Sequence, residues 1–96
     1  MRLRAQDRER VKQIAREVFG PGTRVFLFGS RVDPHRKGGD VDLYVIPAVR
    51  EDLFDRKLTF LARLKLQLGD RKIDVVLAED PSRSIEQAAL QEGIEL

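Results

Sequence analysis

The stretch Gly38-Gly39-Asp40-Val41-Asp42-Leu43-Tyr44-Val45-Ile46 decides how the rest of the chain is read. Two glycines mark a turn, and the apolar run Val41 to Ile46 behind them has the length and β-branched content of a strand covered on both faces. Yet the run opens on two carboxylates, Asp40 and Asp42. Side chains alternate along a strand, so these two point to the same face. A second run of the same kind, Lys72-Ile73-Asp74-Val75-Val76-Leu77, carries Asp74 between Ile73 and Val75. Residues 51–68 lie between the two runs and predict a helix, with Leu53, Phe54, Leu58, Phe60, Leu61, Leu64 and Leu68 on one broad apolar stripe. Leu66 falls off that stripe and is expected to be exposed. Strand, helix, strand is a crossover unit, so the two strands should be parallel and the crossover right-handed. Parallel neighbours start at the same edge of a sheet. Asp40, Asp42 and Asp74 should therefore converge.

Upstream, Arg24-Val25-Phe26-Leu27-Phe28 predicts another buried strand. A polar loop of about a dozen residues joins it to the strand at 41–46, too poor in apolar residues for a crossover helix, so these two strands should be antiparallel. Residues about 4–19 predict a helix from Val11, Ile14, Ala15 and Val18, stopped by Gly20. Residues about 83–91, beyond Pro81, predict a short last helix. The expected architecture is α/β (α+β): a small mixed sheet of about three strands packed with helices, in one domain spanning residues 1–96.

The size and composition narrow the function. A chain of 96 residues buries roughly 60–65% of its unfolded surface, enough for one core and not for a second, substrate-gripping domain. An enzyme of this size needs part of its site or its substrate supplied from outside. Hydrophobic residues at 42% and charged residues at 35% place it among globular proteins rather than disordered ones. No cysteine is present, which excludes a disulfide scaffold, a thiolate zinc site and a cysteine nucleophile. No apolar run approaches a membrane span and the start shows no signal-peptide core, so a cytoplasmic protein without membrane attachment is expected. The net charge of +2 is too small to argue for nucleic acid. The basic first helix and the acidic last one are expected to be solvated faces.

Three like charges at one sheet edge repel, and burial makes that costlier. A divalent cation offsets it, and oxygen-only ligands favour Mg²⁺, with Mn²⁺ possible, over zinc. Gly29-Ser30 follows the first strand and should lie at the same edge. A glycine there lets backbone N–H groups approach a phosphate, and a serine hydroxyl can donate to its oxygen. Arg31, Arg36 and Lys37 add positive charge. Carboxylates holding two cations beside a phosphate cradle are the parts of a two-metal in-line displacement. Other readings fare worse. Gly38 is followed by Gly39 and Asp40 rather than Lys and Ser/Thr, so there is no Walker A loop. Ser30 and His35 lack the Gly-x-Ser-x-Gly elbow of a hydrolase, and His35 is expected to be solvated. Tyr44 shares the face of Asp40 and Asp42, where it either packs in the core or touches a nucleotide.

Phe28-Gly29-Ser30-Arg31, Gly38-Gly39-Asp40-Val41-Asp42-Leu43 and Ile73-Asp74-Val75-Val76, in that order, resemble the minimal nucleotidyltransferases of the DNA polymerase β-like superfamily. The likeness covers residues about 10–78, with a Ser30-to-Asp40 spacing one residue shorter than the usual pattern. The resemblance implies that Gly29, Ser30 and Arg31 bind the phosphates of a nucleoside triphosphate, ATP favoured. It implies that Asp40 and Asp42 ligate two Mg²⁺ ions, and that Asp74 ligates the catalytic one and helps deprotonate an acceptor hydroxyl. It further implies a helical HEPN-type partner protein, with this chain as an antitoxin that adenylylates it. Leu66 and Gly93-Ile94-Glu95-Leu96 are candidate contacts for such a partner. Two alternatives stay open from the residues: a catalytically silent module that neutralises a partner by binding, and a nucleic-acid-binding domain resting on the basic first helix.

Overall fold

The computed structural model describes residues 3–28 and 41–96. The chain runs α1 (Ala5–Phe19), β1 (Arg24–Phe28), β2 (Val41–Ile46), α2 (Leu53–Leu68), β3 (Ile73–Leu77), α3 (Ser84–Glu92) and β4 (Ile94–Glu95). The strands form one sheet in the order β3-β2-β1-β4. β2 and β3 are parallel, and β1 is antiparallel to both β2 and β4. The mixed sheet and the parallel crossover agree with the sequence pattern; the fourth strand does not appear in it.

Period-2 alternation divides the sheet into two faces. Val25 and Leu27 of β1, Val41, Leu43 and Val45 of β2, and Val75 of β3 face α1 and α2, where Val11, Ile14, Val18, Phe19, Phe60 and Leu64 meet them. Phe19 and Phe60 join the two helices edge to face, with ring centroids 5.3 Å apart. On the opposite face Phe26, Tyr44 and Ala78 pack with Ala89 of α3.

The helix ends follow local chemistry. Asp7 in the first turn of α1 and Arg16 in the last complement the helix dipole. Gly20 closes α1 at φ 102°, a region that L side chains rarely adopt, and its N–H donates to the Arg16 carbonyl at 2.9 Å. A Cβ at Gly20 would also lie 2.9 Å from Val49 Cγ2. The α1–β1 turn is tied to the exit of β2: Thr23 Oγ1 donates to the Gly20 carbonyl at 2.7 Å and accepts from Ala48 N–H at 3.1 Å.

Two expectations are corrected, and one segment gains a structural role. Gly93-Ile94-Glu95-Leu96, a candidate partner contact, joins the sheet while Ile94 stays 45% exposed. Ile94 and Glu95 pair with Leu27 and Phe26, and Leu96 N–H donates to the Val25 carbonyl at 2.9 Å. Arg24 clamps Glu95 through two bonds, of 2.9 and 2.8 Å. A Cβ on Gly93 would collide with the Ala89 carbonyl oxygen, so only glycine lets the chain leave α3 straight into β4. Next, the α2 stripe is only partly buried. Phe60 and Leu64 are sealed, but Phe54 is 74% and Leu58 51% exposed. The stripe is wider than the sheet beneath it, because β3 is the outermost strand on that side. Leu66 is exposed, as expected. Finally, the charged ends are not wholly solvated faces: Asp7 and Glu86 are both buried.

Candidate functional site

The β2–β3 register sets Asp42 directly opposite Asp74. On the other side of β2, Phe28 is paired with Asp42. The three side chains form a row across one end of the sheet, on the α3 face that alternation also assigns to Tyr44 and Val76. Neighbouring strands lie about 4.8 Å apart, so two carboxylates at the same level of adjacent strands can share one cation. Asp42 is buried and Asp74 exposed. The two carboxylates therefore differ in their access to solvent. Phe28, Asp42 and Asp74 line a depression of about 480 Å³, with Lys57 and Leu61 of α2 and Ile85 of α3 on its rim.

Asp40, Gly29, Ser30, Arg31, His35, Arg36 and Lys37 lie outside the described residues. The flanking positions are described: Phe28 and Val41 stand at the same end of an antiparallel pair, the end that carries Asp42 and Asp74. Among the described residues no cluster of three or more metal-ligating side chains is present. The donor set that is described, two carboxylates and no sulfur or imidazole, fits a hard divalent cation such as Mg²⁺.

Tyr44 is settled by its surroundings. Its hydroxyl is buried and donates to Glu86 Oε1 at 2.7 Å, so it is a core residue of this face. Burial first, and then the hydrogen bond to Glu86, push the phenol up to about 12. Glu86 was not signalled by the sequence. It is fully buried at the start of α3. Its Oε2 accepts from Glu79 N–H at 3.0 Å and Asp80 N–H at 2.9 Å, and from Arg83 Nη1 at 3.2 Å. Burial pushes this carboxyl up, but the Asp80 N–H, Tyr44 hydroxyl, Glu79 N–H and Arg83 charge outweigh it and hold it below the ordinary range. Glu86 thus ties the β3–α3 turn to Tyr44, two residues along β2 from Asp42. Its acidic place in the first turn of a helix was visible; its partner 42 residues away was not.

A mixed sheet with a parallel crossover and two carboxylates facing each other across it fits the frame of a nucleotidyltransferase. The chain belongs to the polymerase beta nucleotidyltransferase family, whose family model matches residues 9–96. Its fold is similar to that of the MNT antitoxin complexed with tri-AMPylated HEPN toxin of Shewanella oneidensis, at 21% identity and a TM-score of 0.69, covering 94% of this chain and 68% of that one. It is similar also to a mutant of the MntA–HpeT toxin–antitoxin pair, with a TM-score of 0.68 at 21% identity over 92% of this chain and 70% of that one. A toxin–antitoxin structure with AMP-PNP gives 21% identity over the same shares and a TM-score of 0.69. Among curated proteins none matches this sequence.

Proposed function

We propose that this chain is a Mg²⁺-dependent nucleotidyltransferase that moves AMP from ATP to a hydroxyl on a partner protein, acting as the antitoxin of a toxin–antitoxin pair with a HEPN-type toxin. The observation that carries the reading is Asp42 facing Asp74 across a parallel strand pair, in a chain of the polymerase beta family. The donor and acceptor are suggested by the structural relatives, of which one toxin is tri-AMPylated and one complex holds AMP-PNP. A donor that is abundant in the cytoplasm makes a cytoplasmic protein the natural setting. No helix among the described residues is long and apolar enough to cross a membrane.

In this reading the chain's own residues position and neutralise charge. Gly29 offers backbone N–H, Ser30 its hydroxyl and Arg31 its guanidinium to the triphosphate. Asp40 and Asp42 would hold both cations, and Asp74 one of them. Bound cations would supply Lewis-acid stabilisation of the entering and leaving oxygens. Asp74, the more exposed of the described pair, would take the acceptor's proton. The hydroxyl oxygen forms a bond to the α-phosphorus as the bond from that phosphorus to the β-bridging oxygen breaks, and pyrophosphate departs with the electron pair. Lys57, on the rim of the depression, adds positive charge near the reacting phosphates.

The test is label transfer in a lysate of the source cell with purified protein, Mg²⁺ and ATP labelled at the α- or γ-phosphate. An α-labelled protein band that Asp40→Asn/Asp42→Asn loses is expected. Label from the γ-position alone would mean phosphoryl transfer and refute the mechanism. Silence with all four nucleotides would leave a module that neutralises by binding.

A further inference from the structure

We infer that the open edge of β3, bounded by one flank of α2 and by Ile85 of α3, is the docking groove for the acceptor protein, which lays an extended apolar segment along β3 and so brings its hydroxyl to Asp74. The inference rests on the proposed transfer to a protein and adds where that protein binds.

β3 pairs only with β2 among the described residues. The Lys72 carbonyl accepts from Val41 N–H and Ala78 N–H donates to the Val45 carbonyl, both at 2.8 Å. Backbone groups alternate along a strand, so those of Asp74 and Val76 also face β2, while those of Ile73, Val75 and Leu77 face outward. An outward row of donors and acceptors is a template for one more strand.

The walls beside this edge carry large, partly exposed apolar side chains among the described residues, with Lys57 between them. On α2, Arg56 donates to the Val18 carbonyl at 2.6 Å and Arg63 pairs with Glu17, which fixes the flank that meets α1. At 3.6 residues per turn, Phe54, Leu58 and Leu61 fall on the other flank, the one beside β3. Phe54 and Leu58 are more than half exposed. Leu61 lines the same depression as Asp74, and so does Ile85, which is 43% exposed. A soluble surface that gathers large apolar side chains along an unpaired strand edge marks a binding surface.

Continuity with Asp42 and Asp74 decides the occupant. A second copy pairing here about Val75 would set its own Asp74 two residues along the same face from the first. That would add a like charge beside the facing carboxylates. A substrate segment instead brings apolar side chains to the walls and a hydroxyl to the acidic end.

The experiment repeats the α-labelled ATP transfer with Leu58→Asp and, separately, with Leu77→Pro. The proline deletes an outward N–H that makes no bond to β2, at an edge where proline is tolerated. Binding of a fluorescent ATP analogue with Mg²⁺ and the circular-dichroism melt are followed for each variant. Both variants should lose at least tenfold of the labelled protein band while binding the analogue as the parent does. Thr59→Asp, on the α1 flank of the same helix, should label normally. A parent that labels nothing refutes the proposed function, and this inference with it. A parent that labels while both variants label equally well refutes the groove alone. So does loss confined to Leu66→Asp, which would move docking to the outer face of α2. A sedimentation shift from dimer to monomer in Leu58→Asp would assign the groove to a second copy and also refute it.

Discussion

Removing the Glu86 side chain should destabilise this protein far more than its place on a nine-residue surface helix suggests. Glu86→Ala strips the buried Tyr44 hydroxyl of its acceptor and leaves the Glu79 and Asp80 N–H groups to water. A buried polar group deprived of its partner costs about 1–3 kcal/mol, and bonds to a charged acceptor contribute about 1.5–3 kcal/mol. The turn amides are partly exposed and recover some of this, so about 3 kcal/mol is expected for the alanine variant. For a domain of this size that lowers Tm by roughly 12–24 °C. Tyr44→Phe removes the orphaned hydroxyl. The double variant should therefore cost about 1 kcal/mol or more less than the sum of the singles. Urea denaturation of the four proteins closes the cycle. The sign of the pH dependence is fixed as well. The folded carboxyl lies below its ordinary value of 4.5, so its contribution is full at neutral pH and is lost as pH falls through the folded value. The stability gap between parent and Glu86→Gln should hold from pH 7 to 5 and close in more acidic buffer. Additive single variants, or a gap that widens on acidification, would refute the assignment of Glu86 as the charged anchor of Tyr44.

Asp74→Asn should lower transfer by about 10²–10⁴-fold, the range for losing a positioned proton acceptor; single-turnover label transfer reads the effect. Gly20→Ala places a side chain at φ 102° against Val49 and should cost about 1–3 kcal/mol in a urea titration. Arg24→Ala breaks a two-bond clamp that is exposed on both sides, so its cost should stay at or below about 1 kcal/mol and shrink in 1 M salt. Chelation of divalent ions by EDTA should abolish transfer, and Mg²⁺ should restore it.

The facing carboxylates were legible because two short-range rules suffice for them. Alternation puts Asp42 on a known face, and a strand–helix–strand unit puts Asp74 at the same edge. What escaped depends on distant partners. β4 is two residues long and carries no periodicity; it exists because Gly93 permits the approach and because Arg24, 71 residues away, clamps Glu95. Glu86 looks like any acidic residue in a first helical turn until Tyr44 is folded over it. The α2 stripe shows which side chains share a flank of the helix, but not how wide the sheet beneath is. Phe54 and Leu58 therefore share the stripe of Phe60 and Leu64 and are nonetheless 74% and 51% exposed.

These departures are not scattered. Two carboxylates in strands that should be apolar, a buried glutamate behind Tyr44, and exposed Phe54 and Leu58 all stand beside the α3 face of β2 and the open edge of β3. The core between α1, α2 and the sheet follows its pattern throughout. Its polar exceptions among the described residues are Asp7 in the first turn of α1 and Thr23 in the α1–β1 turn. Violations of local consistency persist where function requires them and are compensated elsewhere. Their concentration at one end and one edge is an argument, independent of any likeness to other proteins, that this is where the molecule acts. It also orders the parts. Glu86 braces Tyr44 from behind, Asp42 and Asp74 present charge at the end, and the exposed flank of α2 continues that surface.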